Sequence, residues 1–163
     1  MSEGRSLREP AQRVSPRARL VWLIGAMAES LLVMVAVVLV VWVWDWVNVS
    51  TWVVVIVGLG LAAYVAIVPQ WRYLVHRWEV TDTAVYTQTG WWARERRIAP
   101  MSRIQTVDYA EGAVSRLFGL ASVTVTTASA AGALEISGLD KVRARQLVDE
   151  LTVKADAVEG DAT

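Results

Sequence analysis

Two long apolar runs constrain this chain more than anything that follows them. The first, LVWLIGAMAESLLVMVAVVLVVWVW from Leu20 to Trp44, holds a single charge, Glu29. The second, WVVVIVGLGLAAYVAIV from Trp52 to Val68, holds none, and Pro69 follows it. At about 1.5 Å of rise per residue the first run crosses the roughly 30 Å hydrocarbon core with length to spare; the second just does so with its flanks. Lipid offers no water to an open backbone, so a crossing segment is a helix or part of a closed barrel. The many valines would also suit buried strands, but runs of that length without turn residues far exceed the strands usual in compact folds. The length of the first run and the second run behind it speak against a cleaved secretory signal peptide. Between them, DWVNVST has room only for a turn. The reading is a transmembrane hairpin with helices at 20–44 and 52–69.

Arginine placement sets its orientation. Arg5, Arg8, Arg13, Arg17 and Arg19 precede the first run, Arg72 and Arg77 follow the second, and the turn holds Asp45 and no basic residue. The positive-inside rule then puts both termini in the cytoplasm. Trp42, Trp44, Trp46 and Trp52 gather at the outer turn, while Trp22 and Trp71 mark the inner boundary, as indole rings at headgroup level do. The chain has no Cys, which fits a reducing compartment and removes thiol chemistry. Residues 1–19 read as a basic, disordered arm lying near anionic headgroups, and residues 154–163 as a flexible tail.

Residues 72–153 carry the pattern of one folded domain. Tyr73 to Val80 reads as a strand with Leu74, Trp78 and Val80 on one face, and Thr81-Asp82-Thr83 supplies turn chemistry. Val85 to Thr89 resumes the extended pattern, Gly90 breaks it, and Trp91 to Ile98 reads as a third strand. Pro100 opens a connection to a fourth strand over Ile104 to Tyr109. Ala113 to Phe118 reads as one or two helical turns with Val114, Leu117 and Phe118 inward, stopped by Gly119. Ser122 to Thr127 alternates, with Val123 and Val125 inward, and Leu134 and Ile136 mark a further strand. Asp140 then caps a helix whose Ala144, Leu147, Val148 and Leu151 fall on one face. Short antiparallel strands closed by one amphipathic helix make an α+β barrel or sandwich with a plugged end.

These segments resemble a known family. "VTDTAVYTQTGWW", "IAPMSRIQTVDYAEGAVSRLFGLASVTVTTA" and "LEISGLDKVRARQLVDEL" are similar to bacterial pleckstrin-homology (PH) domains of the YdbS-like, membrane-tethered kind. The shared elements are the turn Thr81-Asp82, Gly90, the run from Pro100 through Arg103, Ile104 and Gln105, and the step from Arg116 to Gly119. The resemblance covers about Leu74 to Leu151, and an upstream two-helix hairpin is typical of the group. It implies a bent seven-stranded barrel with a C-terminal helix, a place in the bacterial cell membrane, and no established catalytic activity.

The residues themselves argue against an enzyme. His76 is the only His, no Gly-x-Ser-x-Gly turn exists, and no cluster of His, Cys or carboxylates has metal-ligand spacing. Gly58 and Gly60 fall inside the second apolar run rather than in a phosphate loop. No cofactor, small-molecule substrate or nucleic-acid partner is expected. The first strand–turn–strand has no Lys or Arg at its turn, so the inositide recognition of eukaryotic PH domains does not transfer. Trp91 to Arg97 interleaves aromatics with Arg94, Arg96 and Arg97, a candidate strand for facing the membrane or a partner, and equally a solvated face. Arg103 and Arg116 suit pairing with carboxylates or carbonyls. Glu29 is the candidate intramembrane polar site, about 10 Å inside the boundary at Trp22; it meets a partner helix or protonates within a helix bundle, or else it snorkels to the headgroups. Ala26 with Ser30 and Gly58 with Ala62 offer small faces for helix packing. The expected function is a membrane-anchored, non-enzymatic interaction module at the inner face of the membrane, meeting lipids and either a protein partner or copies of itself. The alternatives are a small subunit of a transport or export complex working through Glu29, and a lipid-headgroup sensor.

Overall fold

A computed structural model describes residues 9–43, 50–90, 92–128 and 132–160. They form two compact units. The unit of residues 19–71 consists of helix α1, Ala18–Val43, from its second residue on, and most of helix α2, Thr51–Val75. Both are long and apolar enough to cross a membrane. The turn between them, with Trp44, Trp46 and Asn48, lies outside the described residues. The helices meet antiparallel, through a hydrogen bond from Tyr64 to Glu29 and through Gly58, whose missing side chain leaves room for the Met34 methyl.

α2 does not stop at Pro69. It runs through it to Val75, so Tyr73 to Val75 is helix rather than the start of a strand, and Leu74 is half exposed on it. A proline removes one backbone donor, and a helix in an apolar setting tolerates that loss. The helix ends where the Arg72 carbonyl accepts the backbone N–H of His76 at 2.9 Å.

The second unit joins residues 1–18 to residues 72–163. It contains two antiparallel sheets: β1 (Gln12–Arg13), β2 (Arg77–Val80), β3 (Ala84–Thr89) and β4 (Glu95–Pro100) in that order, and β5 (Ile104–Ala110), β6 (Leu120–Thr127) and β7 (Leu134–Asp140). A short helix α3, Ala113–Leu117, links β5 to β6, and α4, Lys141–Gly160, closes the domain. This is the PH-like α+β architecture behind two apolar helices.

The seventh strand comes from the N-terminal arm. Residues 9–18 are not a disordered tether: Gln12 and Arg13 pair with Trp78 and Arg77, the Ser15 N–H donates to the Gly138 carbonyl at 2.8 Å, and Val14 and Ala18 are buried. The physical reason is the free edge of β2, whose backbone groups need partners that the arm supplies. The two apolar helices are therefore inserted between the first and second strands of the domain.

The core matches the alternation of the sequence. Val85, Val123, Val125 and Leu120 are buried from the sheets, and Ala144, Leu147 and Leu151 are fully buried from α4. Each large apolar side chain of this kind contributes about 1.5–3 kcal/mol by leaving water. Three further expectations change. The third strand starts at Glu95, because Gly90 at φ +117° turns the chain and residues 92 and 93 form a bend. Val114 and Leu117 face out, not in, being 40% and 82% exposed; α3 is a single turn standing off the barrel between two strands. The tail is helical to Gly160, and Lys154 reaches back to Asp82 at 2.9 Å and to Glu150 at 3.3 Å.

Candidate functional site

The polar groups of the domain concentrate where the chain leaves α2. Gln88, buried on β3, donates from Nε2 to the Val75 carbonyl at 3.1 Å and accepts from Arg96 Nε at 2.9 Å. Arg96 lies opposite Gln88 in the β3–β4 register and also reaches Glu9 at 3.4 Å. Glu9 further gathers Arg77 at 3.8 Å and Arg94 at 4.0 Å. Arg97, on the other face by strand alternation, pairs with Glu95 at 2.6 Å and donates to the Ala133 carbonyl at 3.1 Å. The three arginines of the basic strand thus split between two environments. Glu9 and Gln88 were not singled out by sequence; the only hint of Glu9 is an acidic residue inside a basic arm.

His76 caps the same helix end. Its Nδ1–H donates to the Arg72 carbonyl at 3.0 Å, and only 5% of the residue is exposed. Burial, and then the nearby Arg72 guanidinium, lower its pKa from 6.5 to about 4, against a partial rise from the hydrogen bond. Between those values the unfolded chain binds a proton that the folded chain refuses. Stability is therefore full above pH 6.5 and falls as pH drops towards 4. At pH 5 the loss should reach up to about 2 kcal/mol. Glu111 is held below its ordinary range by Lys141 and then by Tyr109, so its contribution is lost only at more acid pH. Thermal unfolding of the full chain in detergent, followed by β-sheet circular dichroism, should show a lower Tm at pH 5 than at pH 7. His76→Gln should flatten that difference; an unchanged slope would mean another group controls it.

The open edge of the first sheet is the second feature. Among the described residues no strand pairs with the outer side of β4. Beside it lies a cleft of about 450 Å³ lined by Glu95, Arg97, Ile98, Thr127, Gly132 and Leu134. Ile98 is 45% exposed there. An unpaired strand beside a mixed cleft can accept a further extended segment through backbone hydrogen bonds.

The residues shared with the PH-like family do not converge on one spot. The Thr81 hydroxyl and backbone close the β2–β3 turn on Ala84, and Asp82 holds Lys154. Gly90 makes the β3–β4 reversal. Pro100 ends β4 ahead of a short 3-10 helix, Met101–Arg103, whose Met101 N–H donates to the Thr83 carbonyl. The Arg103 carbonyl accepts from Ala128, Ile104 opens β5, and Gln105 is the extra residue of a bulge between Ile104 and Thr106. The Arg116 carbonyl accepts from Gly119, at φ +68°, whose own carbonyl accepts from Lys141. They are turn and corner pieces. The side chains of Arg103 and Arg116 point to the surface.

Glu29 stands apart from all of these, in the helical unit. Its Oε2 accepts from the Tyr64 hydroxyl at 3.1 Å, a partner that the sequence reading did not name. The nearby groove lined by Met27, Leu31, Met34, Leu61 and Val65 is almost wholly apolar. Among the described residues no group of three or more His, Cys, Asp or Glu side chains is placed to hold a metal.

Comparison with known proteins supplies the family. The profile of the bacterial PH domain matches residues 18–154. The chain is also 35% identical over 82 residues to the UPF0699 transmembrane protein YdbS of Bacillus subtilis (strain 168), a match covering 48% of this chain and 52% of that relative. The chain thus spans about half the length of the curated relative it matches. No solved structure gives a significant match. Matched over most of its length, and folded as two apolar helices and a PH-like domain, the chain belongs to the bacterial PH domain family.

Proposed function

We propose that this protein is a membrane-anchored, non-enzymatic PH-like interaction module, with α1 and α2 crossing the membrane and both termini in the cytoplasm. The observation that carries the reading is the open outer edge of β4 beside its cleft. An extended protein segment, from a partner or from a second copy, adds to that edge as a fifth strand, with Ile98 and the Arg97–Glu95 pair selecting its side chains. The arginine asymmetry supports the orientation, and the transmembrane relative supports the membrane setting. Glu29 in this reading joins the two helices through Tyr64 rather than carrying a proton or an ion.

Two measurements test it. Reporters fused at either end should read cytoplasm, and a cysteine at Asn48→Cys should react with an impermeant maleimide from outside; labelling from the cytoplasmic side would sink the hairpin. A photo-crosslinking residue at Ile98 in native membranes should give a discrete protein adduct that excess unlabelled chain competes away. A non-competable smear, or no adduct, would remove the β4 edge as the binding site.

A further inference from the structure

Two side chains of the domain are far more exposed than their chemistry favours: Trp92 at 88% and Leu117 at 82%. They sit on loops remote in sequence, the β3–β4 reversal and the α3 turn. Each has an arginine beside it, Arg94 with a side chain 56% exposed and Arg116 on the surface. Val114, 40% exposed, widens the second patch.

Each loop lies at one of the two places where the domain continues into an apolar helix. On the β3–β4 side, Gln88 is two residues before Gly90 and holds the Val75 carbonyl, the last residue of α2, at 3.1 Å. On the α3 side, a Cβ placed on Gly119 would lie 3.7 Å from Arg17 Nη1. Arg17 pairs with Asp140 at 3.9 Å, the Ser15 hydroxyl donates to the same carboxylate at 3.1 Å, and the next residue after Arg17, Ala18, opens α1. The opposite end of the first sheet is different. There the β2–β3 turn bears Asp82 held by Lys154, beside the exposed Val153 of α4.

We infer that Trp92 and Leu117 are two membrane-dipping tips that rest in the headgroup layer of the bilayer crossed by α1 and α2, an inference resting on the membrane-anchored reading above. The occupant is a lipid surface because both tips flank the chain's own entries into apolar helices. Indole rings favour the headgroup level, and flanking arginines favour anionic lipid.

The chain has no Cys, so single-site labelling is clean. Trp92→Cys, Leu117→Cys and Val153→Cys chains, each carrying a nitroxide, are reconstituted into phosphatidylcholine–phosphatidylglycerol vesicles. Collision with oxygen, which partitions into lipid, is compared with collision with a water-soluble nickel complex. The oxygen-to-nickel ratio at 92 and at 117 should exceed that at 153 severalfold. A ratio at either tip equal to that at 153 overturns the inference, as does a label shielded from both reagents, which reports protein contact. Retention of the same chains in vesicles after alkaline washing, with one-sided labelling at Asn48→Cys, keeps the anchored reading standing if only the tips fail. Circular dichroism melts matching the unsubstituted chain confirm that the labelled chains are folded.

Discussion

Leu151→Asp should unfold the PH-like domain. Leu151 is fully buried on the face of α4 that closes the barrel, with Leu147 and Ala144 in the preceding turns. The substitution removes about 2–3 kcal/mol of apolar burial and places a carboxylate at a fully buried position. A loss above about 4 kcal/mol is a large part of the 5–15 kcal/mol that holds a typical domain together. Asp149→Ala, two residues away on the exposed side, should cost under about 1 kcal/mol. Melting of the full-length variants in detergent, read at the β-sheet signal, checks the pair. Equal tolerance would mean that α4 does not dock.

Gly90→Ala carries the second large effect. Gly90 has φ +117°, and a Cβ there would lie 1.8 Å from the Ala93 carbonyl oxygen and 2.9 Å from its carbon. Backbone strain and a backbone clash together should cost about 3 kcal/mol or more. Gly119→Ala is the control, since its φ of +68° meets nothing closer than Arg17 Nη1 at 3.7 Å. Only the left-handed penalty remains, about 1–2 kcal/mol. The same melts rank the two, and a Gly119→Ala loss as large as that of Gly90→Ala would contradict the geometry of the β3–β4 reversal.

What the sequence determined by itself follows from two short-range rules. Apolar length set α1 and α2, because lipid offers no water to unpaired backbone groups and so leaves few alternatives. Alternation set Val123 and Val125 inward, and 3.6-residue spacing set Ala144, Leu147 and Leu151 inward, because burial follows the local period. Gly90 was legible as a strand break and Gly119 as the stop of a helical turn, because a positive φ is a local demand that glycine meets.

The tertiary structure decided whatever depends on partners distant in the chain. Gln12 and Arg13 carry no strand pattern; they are extended because the edge of β2 lacks a neighbour, across a gap that holds both apolar helices. The spacing of Val114 and Leu117 suited an inward face, yet on the one helical turn of α3 both stand exposed. Pro69 reads locally as a stop, but α2 continues until the Arg72 carbonyl meets His76. The partners of the basic strand were not legible in the sequence: Glu9 and Gln88 hold Arg96 on one side, and Glu95 holds Arg97 on the other. Ion pairs and edge pairings of this kind join residues with no periodic relation, so only the folded chain brings them within reach.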